Sequence, residues 1–404
     1  MRSGFRFDPP QVEASSELRW LLWRAFGPAG ETLAGVGDLD AHAVKDLARR
    51  FDLAARVGVR TPPEALTREL GSEAGLWFHQ QHAGVAARYL LAEPVCRELA
   101  AAGRRLEIPL AFLKGAALQL GGMVAAGARN MGDIDVLAPE SEARRLQKAL
   151  VGAGCTELKT RESEHQLQYL THRTGLGIEV HKIIPGVRLR GESSVTVGEL
   201  IESGLVCPAP GLGDGCHLPN DEVMLAHLLV HGIAQHGLSP RGYPMSRMLA
   251  DVQDLGVNED RAVTFLDDGF QWISTDVSGE EVEAVFGLAE RLRAGEDPAA
   301  LAVANDGAGI LLRHLLAGAT NEDYVHSMKF RSLTDRPIDM DGIRAAAKTM
   351  RGALFLTNAQ VDILYGPPRS ELGYWGWRLW RPFDLVRRLV RYGWAWVGQL
   401  LRRR

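Results

Sequence analysis

The sequence is poor in cysteine. Four residues in 404 (Cys96, Cys155, Cys207 and Cys216) are widely scattered and show no CxxC spacing. That pattern speaks against a disulfide framework or a zinc knuckle and predicts free thiols in a reducing compartment. Long apolar runs are also missing, and none reaches the roughly 20 uncharged residues that a membrane span requires. Met1 to Pro10 alternates Arg, Phe and Asp with no apolar stretch, so a secretory leader is not expected. Internal repeats and low-complexity tracts are lacking too. Acid is scarce at one end of the chain. From Arg369 onward, nine Arg meet only Glu371 and Asp384, giving +7; the whole chain carries -4, so the rest carries -11. This asymmetry predicts an anionic partner for the tail. A cytoplasmic protein is expected, peripheral to a membrane if the tail seeks lipid.

The chain has enough apolar residues to bury a core. A hydrophobic share of 46% and a charged share of 24% match ordinary globular proteins, and the length allows two or three domains. Leu18, Leu21, Leu22 and Ala25 recur at helical spacing, as do Val44, Leu47, Phe51 and Ala54, so residues 13–105 read as helical. Pro94 is expected to break or kink the last of these helices. From Ile108 the pattern changes. Strands are predicted at Leu110–Leu113, Ile134–Leu137, Cys155–Leu158 and Leu176–Ile184, with helices at Ala116–Val124 and from a Ser141 cap to Val151. Such alternation marks an α/β module. Cys207–Pro219, rich in Gly and Pro, reads as a linker, and Asn220 reads as the cap of a further helical region.

The chemistry concentrates in Phe112-Leu-Lys-Gly and in Arg129-Asn-Met-Gly-Asp-Ile-Asp-Val-Leu. On a strand, side chains alternate with period two, so Asp133 and Asp135 share one face while Ile134 and Val136 enter the core. Two carboxylates this close repel unless a cation lies between them, and magnesium, a hard ion that favours oxygen, suits them. In Ile178-Glu-Val-His, Glu179 and His181 share a face, and Glu179 completes an acidic cluster if that strand is a neighbour. Lys182 would fall on the apolar side, so the strand is expected to end or bulge there. Lys114 and Gly115 close one strand and open a helix, where a phosphate can approach the backbone. Arg129 offers a bidentate fork for the same phosphates or for an Asp.

Leu-Lys-Gly, Arg-x-x-x-Asp-Ile-Asp and Ile-Glu-Val-His, in this order, make residues 15–260 resemble the uncharacterised nucleotidyltransferases of the DNA polymerase β-like superfamily. The Lys114-Gly115 pair, where many superfamily members have Gly-Ser, looks more like the nucleotidyltransferase toxins of bacterial toxin–antitoxin systems. The resemblance implies an α/β (α+β) core with a mixed sheet, flanked by N-terminal and C-terminal helical regions. It also implies two Mg2+ ions held by Asp133, Asp135 and Glu179, and a nucleoside triphosphate transferring its nucleoside monophosphate. Lys114, Gly115 and Arg129 would bind the nucleotide. The acceptor stays open among a small molecule, a protein and RNA. The expected organisation is a helical region 1–107, a catalytic core 108–206, a helical domain 207–330 and a C-terminal region 331–404.

Other readings compete with this one. The fold could serve a non-catalytic, membrane-associated adaptor. His227 and His231, one helical turn apart and followed by Asp251 and Asp254, could hold zinc for a hydrolase, pack structurally, or line the pocket, where His181 is also placed. In the tail, five of the nine Trp interleave with Arg378, Arg381, Arg387, Arg388, Arg391 and Arg402–Arg404, while Leu385, Val386, Leu389 and Val390 share a helical face. That pattern suits an anionic membrane surface, RNA, or a helix packed on the body.

Overall fold

Helix formation starts where the sequence supplies caps. Ser15 accepts a hydrogen bond from the Leu18 amide and opens α1 (Ser16–Phe26), and Asp40 does the same for α2 (Ala41–Arg50). The structure, a computed structural model, describes residues 9–158, 162–189, 195–238, 245–256, 273–275, 277–321, 324–325, 361, 368 and 370–402. The boundary expected at 330 and the terminal Arg403 and Arg404 lie outside the described residues. After α3 (Ala54–Arg60) and α4 (Pro63–Leu70), α5 runs unbroken from Ser72 to Leu106. Pro94 lies inside α5 and does not end it, so of the break or kink expected there the break does not occur. The reason is its position: Pro94 and Leu90 both face solvent, so water can satisfy the Leu90 carbonyl that the ring leaves without a donor.

The α/β alternation follows the expected order. It consists of β1 (Leu110–Phe112), α6 (Lys114–Leu120), β2 (Asp133–Leu137), α7 (Glu140–Gly152), β3 (Thr156–Glu157), β4 (Leu170–Thr171) and β5 (Gly177–His181). Ser141 is the second residue of α7, not its cap; Pro139 occupies the cap position and supplies no side-chain bond. The strand ending at His181 agrees with the break expected at Lys182.

Two short strands then appear in the stretch read as a linker: β7 (Val206–Pro208) and β8 (Cys216–Pro219), preceded by β6 (Val187–Leu189) and α8 (Val197–Glu202). Gly211, Gly213 and Gly215 all have positive φ and turn the chain back, so β7 and β8 form a hairpin. β8 then joins β1 in parallel. The linker reading fails because strands this short, set among Gly and Pro, show no period to recognise. The result is a mixed seven-stranded sheet in the order β3-β4-β5-β2-β1-β8-β7. β6 pairs separately with β9 (Ile273–Thr275).

Asn220 caps α9 (Asp221–Leu229), as expected, and a π-helical turn (Val230–Gln235) continues it. α10 (Met245–Asp254), α11 (Gly279–Arg293), α12 (Pro298–Ala302), α13 (Gly307–Thr320) and α14 (Glu371–Arg402) complete the described helices. Contacts divide the chain into two units. One comprises Met1–Glu157 and Glu162–Ala319, and the other Leu158–Arg161 and Thr320–Arg404. No helix among the described residues is long and apolar enough to cross a membrane.

Candidate active site

β2 is an inner strand with β1 on one side and β5 on the other. Ile134, Val136 and Leu137 are fully buried and hold it in place. β5 pairs with it in parallel, and the register sets Asp135 directly beside Glu179 and Asp133 beside Gly177. The two strands therefore present their acids on a shared face.

Asp135 Oδ1 accepts hydrogen bonds from Lys114 Nζ at 2.7 Å and from His181 Nε2 at 2.8 Å. His181 Nε2 also lies 3.4 Å from Glu179 Oε2. Lys114 begins α6 with a positive φ of 47°, a strained conformation for a residue other than glycine, while its ammonium reaches back to the β2 carboxylate.

Charge in the cluster is unevenly divided. Burial opposes ionisation of Asp135, but Lys114 and His181 overcome it and hold its carboxyl well below the usual range. Asp133 gets less help, because Lys114 and His181 act on it only from a distance and are outweighed. Burial, then the neighbouring Asp135 and Glu179 carboxylates, push its carboxyl up to about 6. Burial also works against the Lys114 ammonium, yet Asp135 raises its pKa, with Glu179 and Asp133 adding to the effect. His181 behaves alike: desolvation lowers it, and bonds to Asp135 and Glu179 raise it further.

Ligand atoms of Asp135, Glu179 and His181 all lie within 4.8 Å of one another, close enough to hold one metal ion. Asp133 lies outside that group; its carboxyl, raised first by burial and then by Asp135 and Glu179, would be held in its charged form by a cation beside it.

Arg129 takes up the other expected partner, an Asp. Its Nε and Nη2 donate to the two carboxylate oxygens of Asp251 on α10, at 2.7 and 2.9 Å, in a pair that is almost wholly buried. A Cβ on Gly115 would stand 2.2 Å from Arg129 Nη1. Gly115 thus makes room for a guanidinium that ties the loop before β2 to α10.

The zinc alternative finds no support in the geometry. Asp251 is engaged by Arg129 and Asp254 by Arg56, and no metal-capable group among the described residues includes His227 or His231. His231 sits in the π-helical turn, bonded through Nδ1 to Gln235 Oε1 at 2.6 Å and edge-on to His236. Burial, and then Lys114, push His231 down to about 3 and His227 well below its usual value. Both rings are therefore neutral near the site, and His231 sits on a helix irregularity of a kind frequent at functional positions.

Sequence reasoning missed Tyr169 and His165. Tyr169 lays its hydroxyl against the backbone of Gly177, where a Cβ would stand 1.6 Å away. Burial and the charges of Asp133, Glu179 and Asp135 push its phenol up to about 12. His165 stacks on His181 with ring centroids 6.2 Å apart. The available signal was Gly177 itself, a strand glycine opposite Asp133, since such a residue marks a close approach by another group.

A family model described as an uncharacterised nucleotidyltransferase matches residues 38–261, more than half of the chain. The match includes Lys114, Asp133, Asp135, Glu179 and His181. No curated protein and no solved structure matches the chain.

Proposed function

The chain belongs to the uncharacterised nucleotidyltransferase family, and from that premise we propose that it transfers a nucleoside monophosphate from a nucleoside triphosphate to an acceptor hydroxyl, with magnesium. The observation that carries this reading is the β2–β5 register, which brings Asp135 beside Glu179 with Lys114 and His181 on the same carboxylate. Asp133, Asp135 and Glu179 would hold two Mg2+ ions, with His181 at the edge of the set. Bound divalent ions supply charge neutralisation for the triphosphate and polarise the reacting oxygens.

In this reading Lys114 is the cation that meets the phosphates, from a backbone conformation that keeps it beside the carboxylates. Gly115 and Arg129 act through position: Arg129, fixed on Asp251, sets where α6 begins. The acceptor oxygen forms a bond to the α-phosphorus, and the bond from that phosphorus to the bridging oxygen breaks. Pyrophosphate leaves, and Glu179 takes the acceptor proton. Tyr169 and His165 would border the pocket, and His231 would line it as a neutral ring.

The test is incubation of the full chain with each α-labelled nucleoside triphosphate, magnesium and cell extract. Label should pass to an acceptor for wild type and fall at least about a hundredfold for Asp135→Asn or Glu179→Gln, the scale of losing one electrostatic contributor. Equal labelling by wild type and both variants would remove the proposal.

A further inference from the structure

α14 presents its apolar side to solvent. Leu372, Trp375, Leu379, Phe383, Val386, Val390 and Trp394 follow at intervals of three and four residues, and each is between 52% and 81% exposed. At 1.5 Å per residue the stripe runs roughly 33 Å along one face. Trp380 widens it, stacked on Phe383 with centroids 6.0 Å apart.

The charged groups occupy the other sides. Asp384 is 2% exposed and accepts from Arg381, Arg387 and Arg388. That network ties the helix across its turns. Arg387 and Arg391 are exposed beside the stripe, and Arg378 lies over the Trp375 ring on its other border. A packed surface helix has the reverse arrangement, with apolar groups covered and arginines outermost.

We propose that α14 is an in-plane anchor that lays this stripe into the surface of an anionic lipid bilayer. Charge complementarity selects that occupant. The borders of the stripe are arginine, and Asp384, the acid within the helix whose side chain is described, is buried. A second copy of the same helix would set arginine against arginine, whereas anionic headgroups match both borders at once. The aromatic rings suit the headgroup level, where one edge of a ring is wet. Over its described residues the helix is not apolar enough to cross a bilayer, and an amphipathic helix of this kind binds by lying along the surface. This inference is independent of the chemistry proposed for Asp133, Asp135 and Glu179.

The experiment is sedimentation of the full chain with vesicles of phosphatidylcholine plus phosphatidylglycerol, and with phosphatidylcholine alone, at low and high salt. Binding to the anionic vesicles should exceed binding to the neutral ones and weaken with salt. Arg387→Ala and Arg391→Ala should each lower it about fivefold. Phe383→Glu with Val386→Glu should lower it at least about tenfold, with circular dichroism and thermal unfolding unchanged because both sites are exposed. Wild type that stays in the supernatant overturns the proposal, as does Phe383→Glu, Val386→Glu protein that sediments like wild type. A dimer in analytical ultracentrifugation that Phe383→Glu dissociates, without vesicle binding, assigns the stripe to a second copy. Single-stranded RNA bound in place of vesicles assigns it to nucleic acid. Either result also overturns the anchor.

Discussion

Asp133 and Asp135 are two residues apart on one strand, yet they sit at opposite ends of carboxylate behaviour. Asp135 has two cationic partners, while Asp133 meets burial and two like charges. The pH consequence follows from its sign. The Asp133 carboxyl stands at about 6 against an ordinary 3.8, so the folded chain without metal holds this proton more tightly than the unfolded chain. Its contribution to stability is favourable to protonation and turns into a penalty as pH rises from 3.8 through about 6. A cation needs the charged form. Stabilisation by magnesium in a thermal melt should therefore be present at neutral pH and fade as pH drops below about 6. Asp133→Asn should raise the melting temperature of the metal-free protein by about 2–4 °C and abolish the magnesium-dependent increment. A metal-free melt at or below wild type would contradict the assignment of strain to this charge.

At the scale of elements, the docking of the loop before β2 between α6 and α10 depends on one buried ion pair and one missing methyl group. Asp251→Ala leaves the Arg129 guanidinium buried without its carboxylate and should cost about 3–5 kcal/mol in denaturant unfolding. Gly115→Ala places a Cβ against Arg129 Nη1, which cannot withdraw while Asp251 holds Nε and Nη2. A loss of about 1–3 kcal/mol is expected. The two effects should not add, because removing Asp251 frees Arg129 to move away. Additive losses in the double variant would show that Gly115 is needed for some other reason.

For the first unit as a whole, His314 on α13 sets an acid limit. It is fully buried and its Nε2 donates to the Leu238 carbonyl at 2.8 Å. Desolvation pushes it from 6.5 to about 4, with the bond to Leu238 resisting. A lowered pKa means that the unfolded chain takes up the proton first. The stability owed to neutral His314 is complete above pH 6.5 and lost as pH falls toward about 4. Unfolding free energy measured across that window should decline for wild type, and His314→Gln should flatten the decline while lowering stability at neutral pH. An unchanged slope would place the acid sensitivity elsewhere.

Much of this was legible residue by residue. Asp-Ile-Asp-Val-Leu and Gly-Ile-Glu-Val-His alternate with period two, and that alone puts Asp133 with Asp135 and Glu179 with His181. Asn220 before Asp221 and Glu222 announces a helix for the same local reason: a side-chain oxygen meets the first free amides. The amphipathic composition of α14 was equally visible. Only the tertiary structure decided which strands lie side by side, that Asp135 faces Glu179, that Arg129 spans 122 residues to Asp251, that Tyr169 enters the site, and which face of α14 stays uncovered. The physical reason is one of range. Alternation and capping act within a few residues through the backbone, while pairing and burial depend on how distant segments share one core.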